Sequence, residues 1–435
     1  MKKEMGDLVT EALADAIPVL SLRGGDDWAR EGGDLDFMVP PGKAVSACRL
    51  VARLAESRGW FLALFRDIGY LSQIVLVRPV SDGIDDAIKV DIFDGLRWYG
   101  VGRDVAGDKL FGDILLHGDS KRRVAGAASF FQKIMIVGQG TERDWSRVIS
   151  AGADTAYLKY IGQELGLLVT ESQIQSRGVN GLAKWRLRAA SGGARTPLPI
   201  FLWFLHASIA HIKFKLGFWT HAGLVLGISG LDGSGKSTLV DRLLAAYRKA
   251  GGEEPELVHL LPSWIPMPHQ LFRRTKTASN YTKPYSEPPV ASRINGGLRL
   301  GYYIFAFVVA KFALWIGSRR GQQIILDRSF LDFASDPTRS RIPFSRLPQW
   351  LVRLLVPTGT LFYLDASPTT VVSRKGELSI EKATFLQRAY YETCAAVDAT
   401  LLDGDGTADA VFVKVLEYIS LEYLARIDKA QTATG

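Results

Sequence analysis

Within the first hundred residues, apolar positions recur first at helical and then at strand spacing. Lys43–Glu56 places Ala44, Ala47, Cys48, Val51 and Leu54 on one side of a 3.6-residue spiral, which predicts an amphipathic helix. Pro18–Arg23, Gln73–Val80 and Ile88–Phe93 are short apolar or alternating runs and predict strands. From about Val124 to Leu187 the pattern is mainly helical. Ser191–Pro199 (SGGARTPLP) breaks every period and predicts a linker. Beyond Ala222 a short apolar run, Leu224–Ser229, leads into a glycine-rich turn and a helix-compatible stretch ending near Lys249. Further apolar runs follow at Ile324–Leu326 and Leu361–Leu364, separated by helical pattern. That alternation predicts a parallel sheet covered by helices on both faces. The expected architecture is α/β, with an α+β domain over 1–105, a helical extension and linker over 106–198, and a third segment, 199–435, holding the parallel sheet.

Two apolar stretches raise the question of a membrane. Leu300–Gly317 has Lys311 as its one charge and approaches the roughly 20 apolar residues a span needs. Because Lys311 interrupts it and a core strand follows, it is expected to be a buried helix. Ile200–Trp219 combines Trp203, Phe204, Phe214 and Trp219 with Lys213, Lys215, His206 and His211, which suits peripheral contact with a membrane rather than crossing it. The opening Met1-Lys2-Lys3-Glu4 runs into Asp7, Glu11 and Asp15 without an apolar segment, so no secretory leader is expected.

Composition narrows the picture. A chain of 435 residues, 47% hydrophobic and 23% charged, belongs among folded proteins with more than one domain. Two cysteines, Cys48 and Cys394, exclude a disulfide framework and sulfur-rich metal sites and point to a reducing, cytoplasmic setting. The Ile200–Trp219 stretch adds peripheral contact with the inner membrane face to that expectation. The net charge of +8 (53 − 45) is unevenly placed. Ser172–Leu231 contains no acid but carries Arg177, Lys184, Arg186, Arg188, Arg195, Lys213 and Lys215, and Leu257–Leu326 has Glu287 as its sole acid. Such a chain prefers anions. No nucleic-acid recognition motif accompanies the charge, so the expected partner is a small nucleotide or phosphorylated substrate. The oligomeric state is left open, a homodimer included.

One motif supplies the anion site. Gly230-Leu231-Asp232-Gly233-Ser234-Gly235-Lys236-Ser237 matches G-x-x-x-x-G-K-[ST] between an expected strand and an expected helix, and Thr238 follows. Glycines let consecutive N–H groups turn toward one phosphate, and the helix adds its positive end. Lys236 brings a point charge to the β- and γ-phosphates, and the Ser237 hydroxyl can ligate Mg²⁺. Gly230, Asp232, Gly233, Ser234, Gly235, Lys236, Ser237 and Thr238 are therefore the expected ATP cradle. Ile324–Leu326 ends in Asp327-Arg328, where Asp327 would orient Mg²⁺ and Arg328 would reach a second phosphate. Val371–Glu377 carries Arg374 and Lys375, cations able to stabilise a transferring phosphoryl group. His206, His211, His221, His259 and His269 show no metal-ligand spacing and are expected at packing or surface positions.

Taken together, GLDGSGKST, ILDRS and YLDASPTTVVSRKGE resemble the thymidylate kinase family over roughly residues 222–425. The resemblance implies a P-loop NTPase-type sheet, ATP and Mg²⁺ as ligands, and a kinase acting on a nucleoside monophosphate. It implies that Asp232 contacts the acceptor's sugar, that Arg328 holds the acceptor phosphate, and that Arg374 with Lys375 or Arg388 forms a basic lid. Leu402–Thr407 (LDGDGT) resembles the segment beside adenine. Ser329 stands where the family usually has an aromatic, the loop carries no arginine, and no thymine-stacking residues match. These departures resemble a divergent branch loosely associated with bacterial surface-polysaccharide gene neighbourhoods.

A second constellation lies near the N-terminus. Asp34-Leu35-Asp36 places two carboxylates on one strand face, and Asp91 lies in an expected neighbouring strand. Three such carboxylates can hold Mg²⁺. With Gly24-Gly25 upstream, residues 1–100 resemble the nucleotidyltransferase fold, which implies Asp34, Asp36 and Asp91 as metal ligands and Gly24 and Gly25 as triphosphate contacts. Three functions stay open: a kinase with an appended nucleotidyltransferase-like module, a nucleotidyltransferase regulated by ATP, and an ATP-binding adaptor at a membrane or polysaccharide assembly.

Overall fold

The computed structural model describes residues 2–22, 33–81, 85–97, 107–116, 121–136, 155–164, 197–216, 223–251, 254–266, 293–337, 342 and 347–434. It divides into two compact units, one formed by Met1–His221, Ala246–Glu253 and Leu416–Gly435, the other by Ala222–Ala245 and Glu254–Val415.

The first unit is built on five strands: β1 (Leu20–Ser21), β2 (Asp34–Val39), β3 (Phe61–Asp67), β4 (Leu71–Arg78) and β5 (Asp86–Asp94), in the order β1-β2-β5-β4-β3. The β2–β5 pair is parallel and the other pairs are antiparallel. The helix Ala44–Ser57 buries Ala44, Ala47, Cys48, Val51, Ala52 and Ala55, so four of the five residues of the expected spiral lie on its inner face, while Leu54 is half-buried. β3 was not expected from the pattern; Phe61-Leu62-Ala63-Leu64-Phe65 is apolar without alternation, and periodicity does not separate such a run from helix. Helices cover Gly107–Leu116, Lys121–Ile136 and Thr155–Glu164; residues 165–196, with most of the expected linker, and Gly24-Gly25 lie outside the described residues.

The expected division at 198/199 differs from the structural one. Residues 199–221, 246–253 and 416–435 group with the N-terminal residues, and side chains tie the last two segments there. Arg49 pairs with Asp428 at 2.9 Å and donates to Gln431 at 2.8 Å, the Leu62 N–H donates to the Ser420 hydroxyl at 3.2 Å, and the Tyr247 hydroxyl donates to the Ala63 carbonyl. The described helices Gly107–Leu116, Lys121–Ile136 and Thr155–Glu164 fall in this unit.

The second unit contains β6 (Val225–Gly230), β7 (Glu256–His259), β8 (Ile324–Asp327), β9 (Thr360–Asp365) and β10 (Thr400–Asp403), all parallel, in the order β10-β9-β6-β8-β7. β6, β8 and β9 are the apolar runs of the sequence. β7 and β10 are four-residue edge strands in which the one buried side chain is Val258 and Leu402 respectively, so they carry almost no apolar signal. The first strand of the unit thus lies at the centre, flanked by later strands on either side. In a parallel sheet of this kind ligands bind outside the carboxyl ends of the strands, where the order reverses.

Aromatic packing anchors one helical layer. Phe307 on the helix Arg293–Arg319 meets Phe330 with centroids 4.8 Å apart, and Tyr303 meets Phe333 at 4.7 Å. This helix corrects an expectation. Its buried side is Tyr303, Ala306, Phe307, Ala310 and Leu314, while Phe305 is 66% and Phe312 62% exposed. Only 33% of its most apolar window is buried, and among the described residues it is the one helix long and apolar enough to cross a membrane by length and composition. The segment is apolar on all sides, so its sequence could not show which side packs. Phe307→Ala removes the ring at the centre of the aromatic layer and is expected to cost the second unit about 3–5 kcal/mol, read as a lowered unfolding midpoint in urea; an unchanged midpoint contradicts this packing.

Candidate active site

β6 delivers the chain to the loop Leu231–Gly235, and the helix Lys236–Ala250 begins immediately afterwards. Gly230 has φ 153°, and a Cβ there would stand 2.8 Å from the Ser234 hydroxyl and 2.9 Å from the Leu364 carbonyl, so no larger residue fits without backbone movement. Gly235 has φ 101°, a conformation that L side chains rarely adopt. The loop lines a cavity of about 520 Å³ together with Ser237, Thr238, Arg242, Asp327, Arg328 and Arg374. Ser234 is 2% exposed, and its hydroxyl oxygen is buried without a hydrogen-bond partner. A buried hydroxyl left unpaired is costly and points to a ligand that completes it.

Lys236 is the electrostatic centre. Its ammonium is buried and donates to the Gly230 and Leu231 carbonyls at 2.7 Å each, with Asp232 at 3.9 Å. Burial, reinforced by the Arg328 charge, lowers its pKa to about 8, against the pull of Asp232, Asp332 and Asp327. Arg328 follows β8 in a left-handed conformation (φ 76°) and forms an ion pair with Asp232. Burial opposes its charge, and the neighbouring Asp332 and Asp232 outweigh burial and raise its pKa. Asp232 thus faces two cations.

Asp327 ends β8 and accepts a hydrogen bond from His259 Nδ1 at 3.0 Å. Burial would raise its carboxyl pKa, but the His259 hydrogen bond and charge, with Lys236 and Arg328, hold it below the usual carboxylate range. His259 is exposed, as expected of a surface histidine, and it also lines the cavity. Its position at the end of the unrecognised strand β7 is what hid it.

Arg374 reaches the cradle from the helix Pro368–Lys375, donating to the Gly233 carbonyl at 3.3 Å and the Gly404 carbonyl at 3.2 Å. Lys375 lines the same cavity; Arg388 is exposed on the helix Ile380–Val397 and is not among the lining residues. Gly404 and Gly406 of the late glycine loop line the cavity as well. In that loop Asp405 accepts from the Ser367 N–H at 3.1 Å.

Sequence reasoning also missed Asp332. It lies on the helix Phe330–Ser335, 6% exposed, and accepts from the Ser229 hydroxyl at 2.6 Å, the Ser329 N–H at 2.9 Å and the Tyr390 hydroxyl at 2.9 Å. Ser329 and Asp332 form a capping box, and the S-x-x-D spacing was the available signal. Its charge also offsets Lys236 and Arg328.

The first unit brings its three expected carboxylates together. Asp36 is in register with Asp91 across the parallel β2–β5 pair, and ligand oxygens of Asp34, Asp36 and Asp91 lie within 4.8 Å of one another. Lys89 joins them, 2.9 Å from Asp91 and 3.6 Å from Asp34. Burial raises the Asp91 pKa, Lys89 opposes that rise, and Asp34 adds to it.

The lowered Lys236 pKa sets a pH dependence. An unfolded lysine titrates near 10.5, so the folded chain bears a penalty for the ammonium that is full below about pH 8 and is relieved as pH rises toward 10.5. Lys236→Met is expected to be more stable than the parent at about pH 7 by up to about 3 kcal/mol, with the gain vanishing near pH 10.5, as read by thermal unfolding. A variant no more stable than the parent near neutrality contradicts a penalised ammonium.

No family model matches the chain, and no curated protein matches it. Among solved structures, a thymidylate kinase from Candida albicans aligns at 18% identity over 47% of this chain and 94% of its own, with a TM-score of 0.33. The protein APE1195 aligns at 14% identity over 48% of this chain and 98% of its own, with a TM-score of 0.23. Likeness at this level adds nothing to the geometry; the α/β arrangement rests on the parallel sheet, its strand order and the loop after β6.

Proposed function

We propose that the second unit is an ATP-dependent phosphotransferase that moves the γ-phosphoryl group of ATP to an acceptor already bearing phosphate, a nucleoside monophosphate in the reading closest to thymidylate kinase. The observation that carries this is the cavity itself. A glycine cradle with an unpaired buried hydroxyl, Lys236, Arg374 and Arg328 all line one cavity of about 520 Å³. Ser237 and Asp327 contribute two oxygen donors to the same cavity, a set that suits Mg²⁺. Those two residues would hold the ion, which when bound neutralises charge on the β- and γ-phosphates.

The chain's own residues do the rest. The loop amides and the Ser234 hydroxyl bind phosphate oxygens. Lys236 exchanges the Gly230 and Leu231 carbonyls for phosphate oxygens, and the arriving negative charge stabilises its ammonium. Arg328 exchanges Asp232 for the acceptor phosphate. An acceptor phosphate oxygen then bonds to the γ-phosphorus as the bond to the β–γ bridging oxygen breaks, and ADP leaves. The attacking oxygen is already ionised, so no proton has to be removed. Arg374 stands beside the cradle to stabilise equatorial charge.

The carboxylates of the first unit favour a second reading, nucleotidyl transfer with ATP binding in a regulatory role. Asp34, Asp36 and Asp91 are oxygen donors close enough to hold Mg²⁺, although the Lys89 ammonium already balances part of their charge. Coupled ADP-release assays over a panel of nucleoside monophosphates and sugar phosphates separate the readings. Lys236→Ala is expected to lower ADP release by about 100-fold or more, with Asp34→Ala/Asp36→Ala leaving it intact. Pyrophosphate release that survives Lys236→Ala and disappears in Asp34→Ala/Asp36→Ala would establish the second reading instead.

A further inference from the structure

The helix Arg293–Arg319 presents Phe305, Val308, Phe312 and Trp315 to solvent at steps of three and four residues, which places them in one stripe opposite the packed face. Phe312 and Trp315 stack with centroids 5.8 Å apart, and the Arg319 guanidinium lies 5.7 Å from the Trp315 ring. Beside the stripe, Trp350 and Leu354 of the helix Gln349–Leu355 are 66% and 56% exposed, and the Lys311 ammonium donates to the Leu354 carbonyl at 2.7 Å. No acid occurs on the longer helix. Apolar faces of this extent mark an interaction surface.

The first unit repeats the same chemistry independently. Its helix Pro197–Leu216 exposes Phe201, Leu205, Ile209 and Ile212 and carries Lys213 and Lys215. The two helices fall within the two acid-poor stretches of the chain, Ser172–Leu231 without an acid and Leu257–Leu326 with Glu287 alone. Aromatic side chains with basic neighbours and no acids complement an anionic lipid surface, where rings enter the headgroup boundary and cations meet phosphate.

We infer that the stripe Phe305–Trp315, with Trp350, docks the second unit onto an anionic lipid bilayer. It docks rather than spans, because Tyr303, Phe307 and Ala310 on the opposite side of the same helix belong to the protein core. This extends membrane contact beyond the 200–219 region that the sequence suggested, and it does not depend on the phosphotransferase reading.

Sedimentation of the full chain with phosphatidylcholine vesicles, plain or mixed with phosphatidylglycerol, tests it. The chain is expected to sediment with the mixed vesicles and to be released as salt rises. Phe312→Ser/Trp315→Ser is expected to weaken that partition about tenfold or more. Should that variant misfold by circular dichroism, Arg319→Gln provides the second reading and is expected to weaken the preference for anionic over neutral vesicles. The inference is overturned if the parent chain ignores anionic vesicles, or if both variants bind as the parent does. A parent dimer that Phe312→Ser/Trp315→Ser converts to monomer, with no vesicle binding by either, overturns it in favour of a second copy of this chain.

Discussion

Two cations buried side by side impose the main constraint on the second unit. Lys236 and Arg328 repel one another and have lost most of their water, and Asp232 and Asp332 hold them in place. Burying charge is costly unless it is paired, so an arrangement with Lys236 resting on two carbonyls is satisfied but not settled. A polyphosphate supplies the missing negative charge. The architecture follows from that need: a central strand, β6, brings the glycine loop to the sheet edge, β8 brings Asp327 and Arg328 beside it, and the capping box of the next helix fixes Asp332 beneath both. Removing Asp332 would disturb the serine before the loop, the helix start and Tyr390 together.

Much of this was legible in the sequence because the requirements are local. The glycine loop needs its residue types at fixed spacing, and β6, β8 and β9 are buried on both faces and so appear as unbroken apolar runs. Edge strands have no such signature. β7 and β10 were missed, and with β7 went the role of His259, which pairs with Asp327 only because β7 lies parallel to β8. Asp332 was missed because a capping acid and a charge-balancing acid look alike in sequence. The helix Arg293–Arg319 was expected to be buried because a segment apolar all round conceals which side packs; its tertiary neighbours Phe330 and Phe333 made that choice.

The carboxylates of the first unit illustrate a different limit. Their convergence follows from the parallel register of β2 and β5; the sequence placed Asp34 and Asp36 on one face and Asp91 in a neighbouring strand, but it did not give the register. Lys89 is two residues from Asp91 on the same strand, so it shares that face for the same reason. Its ammonium supplies internally part of the charge that a metal would bring. Domain limits were the least legible feature, because the ends of two long helices are assigned by side-chain ties from Arg49, Tyr247 and Ser420 that no sequence pattern announces.

Calorimetric titration of Mg²⁺–ATP into the full chain tests the central claim most directly. Saturable binding at one site is predicted, accompanied by proton uptake at a pH near 8 as phosphate oxygens restore the Lys236 ammonium. Absence of heat from well-folded protein, or binding unaffected by Lys236→Met, would contradict the account.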